Sequence, residues 1–180
     1  MMMSGDKMGK NNIVLIGFMG TGKSHVGRYI SKKLNMEFYD TDNIIEKKYG
    51  CSISYIFEKY GENYFRRVES EVISDVSQNR NIVISTGGGV VLDKSNIEML
   101  KKNGVIFLLD GSFDTIVNNL YGNVEKRPLL KGTDWNKKAN ELFLRRKKLY
   151  YNSADYIIGI DNKKGNAIAE EIINIYNLQI

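Results

Sequence analysis

A glycine-rich segment directly after an apolar run near the start of the chain constrains the fold most. Residues 17–24 read Gly-Phe-Met-Gly-Thr-Gly-Lys-Ser, and residues 13–16 before them read Ile-Val-Leu-Ile. This is the spacing of a phosphate-binding loop that joins a β-strand to an α-helix. The glycines let successive backbone N–H groups point at one anion, and the start of the following helix adds unpaired donors and its dipole. The segment therefore predicts a strand, a turn and a helix that bind a nucleoside triphosphate.

Two side chains at the end of this segment carry the chemistry of such a loop. A lysine at the position of Lys23 reaches the β- and γ-phosphates, and a hydroxyl at the position of Ser24 binds Mg²⁺. The alternative is a glycine-rich turn with a chance Lys-Ser pair, and the flanking strand argues against it.

Apolar runs and helical patterns alternate along the rest of the chain. Strands are predicted at 12–16, 37–40, 82–86, 104–109 and 155–160. Helices are predicted near 23–34, 41–49, 53–79 in two or three pieces, 95–102, 112–121, 136–151 and 165–177. The third and fourth strands are continuously apolar, as expected for strands buried on both faces. We therefore expect a three-layer α/β/α fold of the P-loop NTPase architecture, with a central five-stranded parallel sheet.

Length and composition fit one domain without a membrane span. The chain has 180 residues, a net charge of +5 and one cysteine, Cys51. We expect residues 1–10 to be a flexible leader and residues 11–180 to form a single domain. A lone cysteine cannot form an internal disulfide, which indicates a cytoplasmic protein. The basic residues are dispersed, and no apolar stretch approaches the roughly 20 residues of a membrane helix, so neither nucleic acid nor membrane is an expected partner.

Two further segments follow predicted strands, where parallel sheets bind their ligands. Asp40 and Asp42 come directly after the second strand, and three glycines, 87–89, follow the third. Alone, the carboxylates read as a helix cap and the glycines as a flexible turn. Because they follow strand ends beside a phosphate-binding loop, together they favour a second substrate site.

Three arginine-bearing segments complete the pattern. Arg66 and Glu69 share a helix face at a spacing of three residues, and Arg146 lies in a basic run on the helix before the last strand. Arg127 lies within residues 122–135, a stretch with little secondary-structure signal. We interpret this stretch as a mobile lid, since phosphoryl transfer requires the exclusion of water.

From residue 13 to the C-terminus, the chain resembles the shikimate kinases. Besides the phosphate-binding loop, the shared motifs are Phe-Tyr-Asp-Thr-Asp at 38–42 followed by Ile45-Glu46, Gly-Glu-x-x-Phe-Arg-Arg-x-Glu at 61–69, the glycines 87–89, Arg-Pro-Leu-Leu at 127–130 and Arg-x-x-x-Tyr at 146–150. A phosphate-binding loop occurs in many unrelated proteins, whereas this combination in this order is specific to the family.

The resemblance implies ATP and Mg²⁺ at the phosphate-binding loop. The implied nucleotide ligands are Gly20, Thr21, Gly22, Lys23, Ser24 and the backbone N–H of His25, with Ser24 on the metal and Asp40 supporting the metal through water. Arg127 would reach the phosphates from the lid and stabilise the charge that develops during transfer. Lys23, Asp42 and Arg127 are thus the implied catalytic residues.

The resemblance also implies how the acceptor is bound. Asp42 would bind the ring hydroxyls of shikimate and orient or deprotonate the attacking one. Arg66 and Arg146 would clamp the substrate carboxylate, in keeping with the bidentate geometry of guanidinium groups. Gly88 and Gly89 would close over the ring.

The chain departs from the family pattern at three places around the nucleotide. His25, its only histidine, stands where a second Ser or Thr is usual. Residues 118–121 read Asn-Asn-Leu-Tyr, where the family often has a basic residue against the adenine. Residues 161–165 lack the usual Arg and Pro, and Lys163 is the expected replacement for the arginine.

The expected activity is therefore transfer of the γ-phosphoryl group of MgATP to the 3-hydroxyl of shikimate, a step of chorismate and aromatic amino-acid biosynthesis. A monomer with small-molecule substrates is expected. One alternative is another small-molecule kinase such as gluconate kinase, and a nucleoside monophosphate kinase fits the paired arginines less well. A non-catalytic nucleotide-binding module is the alternative from a different class, against which the intact Lys23, Ser24, Asp42 and Arg127 argue.

Overall fold

Five strands form one parallel sheet in the computed structural model, which describes residues 10–122 and 124–178. They are β1 (Asn12–Ile16), β2 (Glu37–Asp40), β3 (Ile82–Ser85), β4 (Gly104–Asp110) and β5 (Tyr156–Gly159). The spatial order is β2-β3-β1-β4-β5. No bound of these strands differs from the sequence prediction by more than one residue. The predicted parallel α/β architecture is confirmed.

Helices cover both faces of this sheet. They are α1 (Lys23–Leu34), α2 (Thr41–Tyr49), α3 (Ile53–Tyr60), α4 (Glu62–Ser77), α5 (Lys94–Asn103), α6 (Phe113–Leu120), α7 (Trp135–Ser153) and α8 (Gly165–Asn177). The predicted helical region 53–79 consists of two helices, because Gly61, with φ of 82°, separates α3 from α4. No described helix is both long and apolar enough to span a lipid bilayer.

The central strand β1 divides the core into two layers. Val14 and Ile16 pack on one face with residues of α4, α5 and α7, whereas Ile13 and Leu15 pack on the other face with α1 and α8. All four side chains are 0% exposed. Alternate residues of a strand point to opposite faces, so a strand between two helical layers needs an apolar residue at every position.

The chain runs from β1 to β2 and β3 on one side of the sheet and then crosses to β4 and β5 on the other. Such a reversal of strand order opens a crevice at the carboxyl ends of the strands. Residues 17–22 follow β1 at this edge, Asp40 ends β2, and residues 86–89 follow β3. The fold thereby brings together segments that lie far apart in the sequence.

Most of the predicted leader lies outside the described residues, and most of the predicted lid lies within them. Residues 1–9 of the leader lie outside the described residues, and Lys10 forms an ion pair with Asp155 at 3.7 Å. Within 122–135, the described residues contain two short 3₁₀ turns, Val124–Lys126 and Pro128–Leu130, as the weak secondary-structure signal predicted. Leu130 is fully buried in the core, so the second turn is anchored.

Glycine at the start of β4 is a packing requirement. A Cβ at Gly104 would lie 2.6 Å from Val14 Cγ2 and 2.8 Å from the carbonyl oxygen of Leu100, whereas a Cβ at Gly159 in β5 would have no neighbour within 4 Å. We expect Gly104→Ala to lower the free energy of unfolding by about 1–3 kcal/mol, the usual cost of overpacking. Gly159→Ala is the matched control and should change it by less than about 1 kcal/mol. Urea unfolding measures both, and equal effects would contradict the close packing of β1, β4 and α5.

Candidate active site

The phosphate-binding loop has backbone conformations that require glycine. Gly20 and Gly22 both have φ of 83°, in the left-handed region that other residues rarely adopt. Thr21 Oγ1 donates to the carbonyl oxygen of Phe18 at 2.8 Å, which holds the turn closed. Gly22 is the N-cap of α1 and offers no side-chain acceptor to the first amides of this helix, and residues 22–25 line the cleft. These amides are the donors that bind a phosphate at a helix N-terminus.

Lys23 lies beneath this loop with its ammonium group buried. Its Nζ donates to the carbonyl oxygens of Gly17 at 2.8 Å and Phe18 at 2.9 Å. Burial, and secondarily the positive charge of Arg127, lower the pKa of Lys23 from 10.5 to about 8, against the opposing attraction of Asp42 and Asp40. Phosphate oxygens next to this group would favour its charged form.

Ser24 and Asp40 place two oxygen atoms of the kind that Mg²⁺ prefers side by side next to the loop. Ser24 Oγ donates to Asp40 Oδ2 at 2.5 Å, and its distance to Ser85 Oγ is 3.3 Å. The other carboxylate oxygen of Asp40 accepts from the backbone N–H of Asn43 at 3.2 Å, so Asp40 is also the N-cap of α2. Among the described residues there is no group of three or more His, Cys, Asp or Glu side chains that could hold a metal. The pair fits Mg²⁺ that arrives with a nucleotide, because Mg²⁺ takes few protein ligands and completes its shell with phosphate and water.

Two clefts of similar size meet at this point. The first, about 610 Å³, contains the phosphate-binding loop, and its outer wall comprises Thr115, Asn119, Ile160, Asn162, Lys163 and Gly165. The second, about 630 Å³, contains Arg66, Glu69, Gly89 and Arg146. Ser24, Asp42 and Arg127 line both clefts. A group transferred from one cleft to the other would pass these three side chains.

The second cleft has two anchored guanidinium groups. Arg66 donates to Glu69 at 2.7 Å and to Glu62 at 3.0 Å. Arg146 is 4% exposed and donates to the carbonyl oxygen of Gly88 at 3.2 Å. Each guanidinium carries five N–H donors, so both keep donors for an anion. This cleft is suited to a carboxylate ligand.

Charged groups of the second cleft lie directly against two of the glycines after β3. A Cβ at Gly89 would lie 2.0 Å from an Arg66 nitrogen, and a Cβ at Gly87 would lie 2.7 Å from Asp42 Oδ1 and 2.8 Å from Glu69 Oε1. Two carboxylates thus meet at Gly87. Any side chain at these positions would displace the charged groups of the cleft.

Asp42 lines both clefts and has a raised pKa. Burial, together with the charges of Asp40 and Glu69, raises its pKa from 3.8 to about 6, although Lys23 and Arg127 partly oppose the shift. A general base works best when its pKa lies near the working pH. Asp42 therefore combines a place at the junction of the two clefts with a raised proton affinity.

Arg127 projects from the segment predicted to be a lid. Its backbone N–H donates to Val124 at 2.8 Å, which fixes the turn. Its side-chain Nε is buried and has no hydrogen-bond partner within 10–122 and 124–178. A buried unpaired donor of a cation is costly, and an anion in the cleft would satisfy it.

Two residues predicted to bind the nucleotide lie at the outer part of the first cleft. His25 and Lys163 both line this cleft, as expected of nucleotide ligands. The ammonium of Lys163, however, donates to Glu171 of α8 at 2.6 Å. The position predicted to replace the family arginine is thus held by an ion pair. Asn119 donates to the carbonyl oxygen of Gly20 at 2.9 Å and supports the loop from α6.

Sequence reasoning assigned no role to Glu69 in the second cleft or to Tyr150, which contacts Gly88 of that cleft. Glu69 is 1% exposed and holds Arg66, and burial raises its pKa. Tyr150 donates its hydroxyl to the carbonyl oxygen of Gly88, beside Arg146. Their spacings from the arginines, three and four residues along a helix, were the available signal.

A family model described as "Shikimate kinase" matches residues 19–177. The chain belongs to the shikimate kinase family. Among curated shikimate kinases, that of Caldanaerobacter subterraneus subsp. tengcongensis is 46% identical over 92% of this chain and 95% of the relative. That of Thermodesulfovibrio yellowstonii is 45% identical over 92% and 94%.

Solved structures of shikimate kinases have the same fold. The enzyme from Acinetobacter baumannii in complex with shikimate has a TM-score of 0.89 at 34% identity and 93% coverage of both chains. The enzyme from Aquifex aeolicus has a TM-score of 0.79 at 37% identity, covering 92% of this chain and 96% of that one. A gluconokinase from Sinorhizobium meliloti, with a TM-score of 0.57 and 13% identity, shares the fold alone.

The raised pKa of Asp42 predicts that this residue costs stability in the shikimate kinase site. The folded state binds this proton more tightly than the unfolded state does, so ionised Asp42 destabilises the fold above about pH 6. Asp42→Asn should therefore raise the free energy of unfolding at pH 7.5 by about 1–3 kcal/mol, since one pKa unit is worth about 1.4 kcal/mol.

Urea unfolding over a range of pH measures this effect. The difference between Asp42→Asn and the parent should shrink as the pH falls from about 6 to about 4, where the parent carboxyl becomes protonated. Asp93→Asn is the matched control, because hydrogen bonds from Ser95 lower the pKa of Asp93 and ionisation there favours the fold. If Asp42→Asn instead destabilised the protein at pH 7.5, the ionised carboxylate of Asp42 would stabilise the folded state, contrary to this prediction.

Proposed function

We propose that this chain is a shikimate kinase, which transfers the γ-phosphoryl group of ATP to the 3-hydroxyl of shikimate and releases ADP and shikimate 3-phosphate. The observation that carries the proposal is the meeting of the two clefts. A phosphate-binding loop lies in one, two arginines suited to a carboxylate lie in the other, and Asp42 and Arg127 lie at the junction. Membership of the shikimate kinase family supports the choice of acceptor.

In the nucleotide cleft, the backbone N–H groups of residues 20–25 would bind the phosphates of ATP. Lys23 would leave its two carbonyl partners and neutralise the β- and γ-phosphates, which are stronger acceptors for an ammonium group. Ser24 would bind Mg²⁺ directly and Asp40 through water, and the metal would neutralise phosphate charge. Lys163 would contribute only after it exchanges its ion pair with Glu171.

In the acceptor cleft, Arg66 and Arg146 would bind the carboxylate of shikimate, while Gly88 and Gly89 would lie against the ring. Asp42 would accept a hydrogen bond from the attacking hydroxyl group and take its proton as the new O–P bond forms. Asp42 is half-buried, and a bound acceptor over it would keep water from competing for this role.

Residues 122–135 would act as a lid that delivers Arg127. The unpaired Nε of Arg127 would bind the transferring phosphoryl group, as arginine does in related phosphoryl transfers. Leu130 is anchored in the core, so the movement that delivers Arg127 would involve the residues before it. Closure would exclude water and protect ATP from hydrolysis.

We also propose that the protein acts as a monomer in the cytoplasm on small molecules alone. Cys51, the sole cysteine, cannot form an internal disulfide, which agrees with a reducing compartment.

Release of ADP in the presence of different acceptors tests the proposed function. With MgATP, we expect turnover with shikimate and only background ADP release with gluconate or with no acceptor. Lys23→Ala, which removes the charge that bridges the phosphates, should lower kcat by at least about tenfold, a loss of about 1.4 kcal/mol of transition-state stabilisation. Turnover with gluconate alone would favour the rival kinase, and ATP binding without turnover of any acceptor would favour a non-catalytic module.

The arginines should separate into two kinetic classes. Arg66→Ala and Arg146→Ala should mainly raise KM for shikimate, because they bind a carboxylate whose charge is the same in the ground and transition states. Arg127→Ala should mainly lower kcat, because its partner gains charge during transfer. Arg67→Ala, next to Arg66 but outside both clefts, is the matched control. Equal changes of KM and kcat in all three site variants would refute this division.

A further inference from the structure

The side chain of His25 lines the nucleotide cleft, although phosphate binding would use only the backbone of this residue. The backbone of His25 belongs to the first turn of α1, where helix amides have no acceptor within the helix. Its imidazole is exposed and lines the outer part of the cleft together with Lys163 and Gly165. A phosphate-binding loop needs only the backbone at this position, so the ring is available for another contact.

The ring is seated on Gly165, the first residue of α8. A Cβ at Gly165 would lie 2.5 Å from His25 Cδ2 and 2.9 Å from Nε2. Gly165 does not have the positive φ that would itself require glycine. The absence of a side chain at residue 165 therefore makes room for the imidazole, and His25 and Gly165 form a matched pair across the cleft wall.

The position of this pair shows which part of a nucleotide it faces. Phosphates at Gly20–Ser24 fix one end of the nucleotide, so its nucleoside extends into the outer part of the cleft, between α6 and the start of α8. Asn119 on the α6 side is engaged with Gly20, and Lys163 is engaged with Glu171. The imidazole thus offers an exposed flat surface on the opposite wall. Aromatic rings supply such surface at low entropic cost.

We propose that His25, held in place by Gly165, is a nucleoside-contacting residue: its imidazole packs against the ribose and base of the nucleotide and adds affinity beyond the phosphates. This inference rests on the proposed use of ATP by the phosphate-binding loop. It assigns the side chain of His25 a role in binding, separate from that of its backbone N–H.

Calorimetric titration with ADP and with inorganic pyrophosphate, both in the presence of Mg²⁺, tests the proposal. His25→Ala should raise the Kd of ADP by about three- to tenfold, the range for loss of one aromatic contact, and leave the Kd of pyrophosphate within about twofold. Lys32→Ala, on the exposed side of α1 away from both clefts, is the matched control and should change neither.

A double-mutant cycle tests the pairing with Gly165. Gly165→Ala should weaken ADP binding when His25 is present, because the new methyl group displaces the ring, and should have little further effect in the His25→Ala background. Equal effects of Gly165→Ala in both backgrounds would refute the pairing. If His25→Ala left ADP binding unchanged, or weakened ADP and pyrophosphate equally, the nucleoside contact would be refuted.

These outcomes are independent of the acceptor. A parent protein that binds ADP but does not phosphorylate shikimate would contradict the proposed function and leave the His25 test intact. A parent protein that binds neither ADP nor pyrophosphate would overturn both.

Discussion

The fixed position of strand β1 is the constraint on which the site depends. Its residues 12–16 are at most 1% exposed, and it pairs with β3 on one side and β4 on the other. The phosphate-binding loop continues directly from this strand, so the packing of the core fixes the position at which the loop begins. A preorganised set of donors costs little reorganisation when charge develops, which is the largest contribution in phosphoryl transfer. Conversely, any slip of β1 in the sheet would move the loop away from Asp40 and Gly87.

Several charged side chains around this loop have surroundings that disfavour their charge or leave a donor unpaired. Lys23 is buried against carbonyl oxygens and has a lowered pKa, whereas Asp42 is half-buried near two carboxylates and has a raised pKa. Arg127 has a buried donor without a partner among the described residues. Each of these arrangements costs folding free energy, and each would be relieved by phosphate, metal or an acceptor hydroxyl group. Ligand binding can therefore offset part of the folding free energy that these charged groups cost.

The arginines of the acceptor cleft illustrate the opposite principle. Glu62 and Glu69 hold Arg66, while the carbonyl oxygen of Gly88 holds both Arg146 and Tyr150. These partners restrict the guanidinium groups before a substrate arrives, so little side-chain entropy remains to be lost on binding. The restrained arginines would then serve recognition, and the proposed lid around Arg127 would serve catalysis.

The sequence by itself determined the local elements and the chemistry of the loop. Continuous apolar runs and the glycines beside them placed the strands to within one residue, because burial on both faces and positive φ leave few alternatives. Only the tertiary structure decided which distant residues meet: Asp42 with Glu69 at Gly87, Lys163 with Glu171, and His25 with Gly165. Helix and strand patterns report contacts within about four residues along the chain, whereas these pairs depend on strand order and helix packing. The same limit explains why Leu130, inside a segment with weak local signal, proved to be an anchor in the core.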